Sequence, residues 1–168
     1  MIAALEPFLH VPGKVLLLNV SQRHGDDFSM QELFGVVDYA AYFDPSLHSL
    51  DLFGCGMEGL DCGPFAKVLE EEITASPVDL TRLGFMDNGI GDEGTRLLAT
   101  VLGKNHRRSL QCLDLRYNNI GHQGAAAIAN TLLEQGSVLK TLHLCINEIG
   151  DKGAIALAGA LERNCLPL

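Results

Sequence analysis

Three side chains in the C-terminal half of the sequence are of types that could together perform nucleophilic catalysis. Asp114 and His143 occupy corresponding positions in two similar segments, and Cys145 follows His143 by two residues. If these segments are neighbouring strands about 4.8 Å apart, the carboxylate lies beside the imidazole and the thiol shares their face. A flat sheet, however, offers neither a cleft that excludes water nor donors for an oxyanion. We therefore predict that the protein is not an enzyme.

A glycine-rich string has the spacing of a dinucleotide-binding loop. It reads Gly89-x-Gly91-x-x-Gly94 and comes where a strand would pass into a helix. The second and third glycines recur twice further along the chain, at Gly121 and Gly150 and at the positions three residues later, whereas the first does not. Repetition explains the glycines better than phosphate binding does, so we expect no cofactor. The 6 histidines show no metal-ligand spacing, and we expect no metal site.

Composition narrows the class of protein and of partner. The chain has 168 residues and a net charge of −9, which argues against nucleic acid because phosphate contacts rely on clustered Lys and Arg. Its 5 cysteines form no C-x-x-C pair and no disulfide framework. The N-terminus does not resemble a signal peptide, and no apolar run is long enough to span a membrane. We expect a cytoplasmic protein with a protein partner.

A phrase of leucine, asparagine and glycine recurs along the chain. Its clearest copy is Leu110-x-x-Leu113-x-Leu115-x-x-Asn118-x-Ile120-Gly121-x-x-Gly124, and the same register starts at Leu80 and Leu139 and, more loosely, at Leu47. A period of this length predicts a stacked solenoid. Intervals of 34, 33, 30 and 29 residues separate Leu18, Leu52, Phe85, Leu115 and Leu144.

These residues resemble the leucine-rich repeats of the ribonuclease-inhibitor type, which are found also in NOD-like receptors, the Ran GTPase-activating protein and tropomodulin. The resemblance covers the chain from Leu47 to the C-terminus. It implies an α/β solenoid of horseshoe shape, with a parallel β-sheet on the concave side and α-helices on the convex side. For function it implies mainly a protein-binding surface, since a fold does not name its partner.

Each repeat changes from a period of two to a helical period, which predicts a strand followed by a helix. The asparagine after each strand has a structural task, because a buried amide can bond the backbone groups of adjacent turns. The glycine lies where the chain must bend between turn and helix, and glycine accepts unusual backbone angles there. The residues predicted to be structural are Asn88, Asn118, Asn147, Gly91, Gly121 and Gly150.

The repeats divide the chain into two parts of one continuous domain. Residues 1–46 form a degenerate N-terminal capping repeat, with a strand at 15–19 and a helix opened by the capping box Ser29-x-x-Glu32. Residues 47–168 form four repeats, which makes about five in all. The segment 164–168 reads as the entry to another strand, so we expect either a fragment of a longer repeat protein or an end that a partner covers.

Successive side chains of a strand point to opposite faces of the sheet, so every second residue of each predicted strand lies on the concave face. The residues at one position in successive strands form a column across that face. Aromatic, apolar and arginine side chains in these columns are typical of protein interfaces. The alternative is that a neighbouring loop or a further chain segment covers them. The residues predicted to contact a partner are Phe53, Arg82, Met86, Asp87, Asp114, Arg116, Tyr117, His143 and Ile146.

Three hypotheses for function follow. The first is a non-enzymatic interaction scaffold that binds a protein through the concave strands and the turns after them. The second is a structural subunit of a cytoskeletal or axonemal assembly, which would use the ends and edges of the solenoid as well. The third, by analogy with the Ran-specific protein, is a GTPase-activating role in which polar turn residues orient the GTPase's own catalytic groups.

Overall fold

A parallel β-sheet organises the part of the chain that the structure describes. The structure is a computed structural model, and it describes residues 15–19, 49–54, 81–104, 109–132 and 138–164. Among these residues five strands follow one another in sequence order across the sheet. They are β1 (Val15–Asn19), β2 (Ser49–Phe53), β3 (Arg82–Gly84), β4 (Cys112–Asp114) and β5 (Thr141–His143).

The strand register confirms the repeat interpretation. Leu83 pairs with Leu113, which in turn pairs with Leu142, so the leucines of successive repeats form one ladder. The ladder continues on the other side of β3 through Leu50 and Leu16. Since β3, β4 and β5 are neighbours in sequence order and pair in parallel, the two connections between them cross on the same side of the sheet.

Two of the three described helices make these crossings and the third follows β5; together they complete the predicted α/β leucine-rich-repeat solenoid. They are α1 (Gly91–Lys104), α2 (His122–Leu132) and α3 (Gly150–Asn164), and each packs against the next. The first helical turns carry glycines because the helices approach closely there. A Cβ at Gly153 would lie 3.0 Å from the Ala125 Cβ and 3.2 Å from the His122 Cα.

The core lies between the strands and the helices. We call the repeat of β4 and α2 the central repeat, because it is the middle one of the three described strand–helix repeats. Its Leu113 and Leu115 are 0% exposed, and Ile128 of α2 is 1% exposed. On each strand the leucines that face this core alternate with residues on the opposite face of the sheet. We call that opposite face, which bears Asp51, Arg82, Cys112 and Asp114, the open face.

The expectation that every repeat glycine adopts an unusual backbone angle is wrong for Gly121. Gly91 and Gly150 have φ of 63° and 58°, in the left-handed region that favours glycine. Gly121 does not; its lack of a side chain is needed because a Cβ there would lie 2.9 Å from Asp92 Oδ2. Its backbone N–H donates to the other oxygen of that carboxylate, Oδ1, at 2.7 Å.

Several predictions lie outside the described residues. These include the helix opened by Ser29-x-x-Glu32, most of the first full repeat after residue 54, and the segment 165–168. The division of the chain at residue 46 therefore stays a prediction.

Candidate functional site

The residues predicted to contact a partner lie on strands β2 to β5 or on the turns that follow them, but they differ in exposure. Asp87, Tyr117 and Ile146 are exposed, with Tyr117 at 43% and Ile146 at 65%. Five are intermediate: Phe53, Arg82, Met86, Arg116 and His143. Asp114, at 2%, is buried.

Acidic and basic side chains alternate across the open face and form ion pairs with one another. Arg82 Nε donates to Asp51 Oδ2 at 3.1 Å, and its Nη2 lies 3.5 Å from Asp114 Oδ2. Arg116 binds the same Asp114 carboxylate through Nε to Oδ1 at 2.9 Å and through Nη2 to Oδ2 at 2.6 Å. A bidentate pair of this kind fixes the orientation of the guanidinium plane. The chain Asp51–Arg82–Asp114–Arg116 thus spans strands β2 to β4 and the turn after β4.

A glycine makes room for this chain. Gly84 lies between Asp51 and Asp114 in the strand register. A Cβ at Gly84 would overlap Asp51 Oδ1, so any other residue there would push the carboxylate out of its place. Arg82 can therefore bridge the two carboxylates across the position of Gly84.

The pKa values follow from these contacts. Burial alone would raise the pKa of Asp114, but hydrogen bonds from the side chain and backbone N–H of Arg116, with the charges of Arg116 and His143, lower it below its usual value. The hydrogen bond to Asp114 raises the pKa of Arg116, and the one to Asp51 raises the pKa of Arg82. The Asp114–Arg116 pair is therefore fully charged at neutral pH.

Asp114 is predicted above as a direct contact, and the structure corrects this expectation. Its carboxylate lies beneath two guanidinium groups, so it has almost no surface to offer a partner. The exposed surface above it belongs to Arg82 and Arg116, whose side chains are 36% and 37% exposed. Asp51, which is not among the predicted contacts, belongs to the same chain; alternation on β2 places it on the open face.

A row of left-handed residues borders the open face. Gly54, Asp87, Tyr117 and Ile146 take the same position in successive repeats, with φ of 59°, 59°, 57° and 56°. We call these four residues the turn ridge. Only glycine adopts this conformation freely, and a β-branched residue such as Ile146 is disfavoured there. The backbone holds Ile146 in this conformation although its side chain gains little burial.

An asparagine ladder beneath the ridge determines the path of these turns. Asn118 Oδ1 accepts hydrogen bonds from the backbone N–H of Asn88 at 3.1 Å and of Ile90 at 3.3 Å, both in the preceding repeat. Its Nδ2 donates to the Phe85 carbonyl at 2.7 Å. In the same way, Asn147 Oδ1 accepts hydrogen bonds from the backbone N–H of Asn118 and of Ile120, each at 3.0 Å. Each amide thus ties one turn to the turn before it.

The sulfur and imidazole groups of the open face have different surroundings. Arg82 Nη1 donates to Cys112 Sγ at 3.2 Å, whereas Cys145 is exposed with a free thiol. Asp114 is engaged by arginines, so it is not the orienting partner that His143 would need. In the described ranges no group of His, Cys, Asp and Glu could hold a metal ion.

A membrane span is also not found where the structure describes the chain: none of its helices is long and apolar enough to cross a bilayer.

Comparison with known proteins identifies the repeats. The family model for the leucine-rich repeat matches three segments, residues 79–99, 106–129 and 137–158. A solved structure, "Leiomodin-1 Actin-Binding Site 2 (ABS2)", is similar in fold, with a TM-score of 0.60 and 20% sequence identity. The match covers 80% of this chain and 74% of that one. No curated protein matches the chain.

Proposed function

The chain is a leucine-rich-repeat protein, and we propose that it is a non-catalytic scaffold that binds a protein partner through the turn ridge and the adjoining open face. Tyr117 and Ile146 supply the apolar anchors. Arg82 and Arg116 supply oriented donors beside them. An aromatic anchor next to arginine is the combination that contributes most to protein interfaces.

The observation that carries this proposal is the conformation of Ile146. A β-branched side chain in a left-handed backbone is strained, and at 65% exposure it gains little from the core. The turn takes this conformation in each described repeat, so what the turn and the core leave unexplained is the isoleucine itself. An exposed apolar side chain at a strained position is consistent with a binding role. Exposure of the ridge is not a consequence of lying at the end of the stack, because Asp87 and Tyr117 are exposed in inner repeats.

The second observation is the rigidity of the guanidinium beside the ridge. Arg116 is held at two points by a buried carboxylate, so a partner that binds it orders little further side-chain motion. Arg116 directly precedes Tyr117 in the chain, and its side chain is 37% exposed. A partner with an apolar patch beside carbonyl or carboxylate oxygens would match this surface.

A cytoskeletal partner is supported by the similarity to an actin-binding site of leiomodin-1. Monomeric actin is therefore the first partner to test. The second candidate function, a structural subunit of a larger cytoskeletal or axonemal assembly, is supported by the exposed apolar side chains of the last repeat, Ile155 at 71% and Leu161 at 57%. A GTPase-activating role is less well supported, since the Asn88 and Asn118 amides already bond the backbone.

The test measures the affinity of labelled monomeric actin for the wild-type chain and for Tyr117→Ala, Ile146→Asn and a control, Ile155→Ala. Ile155 is equally apolar and exposed, but it lies on α3 away from the ridge. We expect each ridge variant to weaken binding at least fivefold, about 1 kcal/mol, and the control to leave it unchanged. Equal weakening by all three variants would discard the ridge.

If wild-type protein does not bind actin, the cytoskeletal partner is rejected. The ridge itself is then tested with the proteins that the wild-type chain retains from a cell extract. Proteins retained equally by Tyr117→Ala and by wild type would show that binding, if any, uses another surface.

A further inference from the structure

The charges of the open face are arranged in two levels. The side chains of Asp51 and Asp114 lie deep, at 18% and 3% exposure, whereas those of Arg82 and Arg116 are 36% and 37% exposed. A partner that approaches this face therefore meets guanidinium groups before it meets carboxylates. The protein as a whole has a net charge of −9, so this part of its surface presents the opposite sign.

Arg116 uses only one edge of its guanidinium group within the chain. A guanidinium holds its N–H groups in one plane and can bind a carboxylate at two points, through the Nε–Nη2 edge or through the Nη1–Nη2 edge. Asp114 occupies the first edge, through Nε to Oδ1 and Nη2 to Oδ2. Where the structure describes the chain, Nη1 of Arg116 and the second hydrogen of Nη2 have no acceptor. The second edge can therefore take another carboxylate.

Arg82 is less available to a partner. Its Nε donates to Asp51 Oδ2 and its Nη1 to Cys112 Sγ, and its Nη2 lies 3.5 Å from Asp114 Oδ2. Every nitrogen of this guanidinium is thus already directed to a group of the chain. Of the two arginines, Arg116 is the better placed to bind a further carboxylate at two points.

The positions beside Arg116 determine what else a bound carboxylate would meet. Backbone N–H groups of Asp87 and Tyr117 donate to the carbonyls of Arg116 and Cys145, which aligns these turns. Met86 and Cys145, which take the position of Arg116 in the neighbouring repeats, are uncharged. Asp87 carries an exposed carboxylate on the turn ridge and opposes an acidic partner, but water and salt weaken this repulsion at an exposed site.

We propose, as a refinement that rests on the proposed function, that the partner presents an acidic segment to the open face. A glutamate or aspartate of that segment binds the Nη1–Nη2 edge of Arg116. An adjacent apolar residue contacts Tyr117, which follows Arg116 in the chain and is 43% exposed. A basic segment is disfavoured because both guanidinium groups repel it, and a neutral segment leaves the second edge of Arg116 to water.

The test compares short synthetic peptides in which a leucine is followed by glutamate, by glutamine or by lysine, between glycine and serine residues. Titration of the full chain, followed by NMR, measures their affinities. We expect the glutamate peptide to shift the Nε–H resonance of Arg116 and to bind about fivefold more tightly than either of the others. Attraction to the protein as a whole would give the reverse order, with the lysine peptide first, because the net charge is −9.

Variants separate the second edge of Arg116 from positive charge alone. Arg116→Gln and Arg116→Lys should each remove the preference for glutamate over glutamine. The lysine variant still pairs with Asp114 and is expected to stay folded, but it has no second edge. Arg96→Gln is the matched control, because Arg96 binds Glu93 through the same Nε–Nη2 edge on α1, away from the ridge. We expect it to keep the full preference.

Equal affinity for the glutamate and glutamine peptides, or tighter binding of the lysine peptide, would overturn the proposal of an acidic segment. The same holds if the resonance of Arg116 does not shift, or if Arg96→Gln loses as much of the preference as Arg116→Gln. None of these results discards the turn ridge, which is judged by the effect of Tyr117→Ala on actin and on retained proteins. The two proposals therefore fail in distinguishable ways.

Discussion

The central repeat and the last repeat contain nearly the same residues but are packed very differently. Leu115, Asn118 and Ile120 of the central repeat are all 0% exposed. Their counterparts Leu144, Asn147 and Ile149 are only partly buried, although they occupy the same positions between the strand and the helix. In a solenoid, then, the contribution of a residue depends on whether a further repeat follows it.

The comparison extends to the polar groups. In the central repeat the buried amide of Asn118 bonds the turn of the preceding repeat, and the buried carboxylate of Asp114 accepts hydrogen bonds from Arg116 of its own repeat. In the last repeat the position of Asp114 is taken by the partly exposed His143. Water can replace lost partners there, so the same substitution should have a smaller effect at the end of the stack than inside it.

The largest expected effect is on leucine packing. Leu115→Ala should lower the free energy of unfolding by about 3 to 5 kcal/mol, because it leaves a cavity in a fully buried site. Leu144→Ala should cost roughly half as much, since part of that side chain is already in water. Urea unfolding followed by circular dichroism measures both. Equal losses at the two positions would contradict the comparison.

The asparagine ladder gives the next largest difference. Asn118→Ala removes hydrogen bonds from two buried backbone N–H groups and from the Phe85 carbonyl, and we expect a loss of about 3 kcal/mol. Asn147→Ala leaves donors that water reaches more easily, and about 1 to 2 kcal/mol is expected. Native-state hydrogen exchange at residues 88, 90, 118 and 120 identifies which amides become unprotected. Faster exchange confined to residues 118 and 120 in the Asn118→Ala variant would be the wrong pattern.

The ion pair of the central repeat should make stability depend on pH. The folded state lowers the pKa of Asp114, so the stabilisation is fully present above the unfolded value of about 3.9 and is lost as the pH falls through the folded value. Asp114→Asn should cost about 2 kcal/mol at pH 7 and little near pH 2. His143→Asn, the matched change in the last repeat, removes no carboxylate and serves as the control. A difference between wild type and Asp114→Asn that does not shrink in acid would exclude the ion pair as its source.

The smallest expected effect has the opposite sign. Ile146→Asn should raise the free energy of unfolding by roughly 0.5 to 1 kcal/mol, because asparagine tolerates the left-handed conformation that isoleucine resists. Tyr117→Asn, at the same position of the inner repeat, should gain less, since tyrosine is not β-branched. The midpoints of thermal unfolding of the two variants check this order. A loss of stability in Ile146→Asn would mean that the isoleucine is not strained.

Much of the scaffold could be predicted from spacing. The asparagines recur at intervals close to one repeat, and a buried amide after each strand must bond the backbone of a neighbouring turn, which is what Asn118 and Asn147 do. The role of Gly121 could not be predicted in the same way. Gly121 must lack a side chain because the carboxylate of Asp92, in the preceding helix, lies against it. No pattern in the sequence around Gly121 indicates that contact.

The candidate site was less predictable, for a related reason. Alternation places Arg82 and Asp114 on the open face, but only the register brings Asp51 and Asp114 to either side of Gly84 and within reach of Arg82. The sequence therefore indicates which residues share a face and not which of them bury or neutralise one another. Asp114, chosen as a contact for its position, is hidden by the arginines that it orients.

By itself, the sequence determined the repeat, the order and register of the strands and the turn asparagines, because these follow from spacing along one chain. Only the tertiary structure decided that Asp114 is buried, that Ile146 is held in a left-handed turn and that Ala154 and Ala158 are exposed. Burial and backbone strain are set by what lies next to a residue in space. Identical positions in successive repeats therefore differ as soon as their neighbours do.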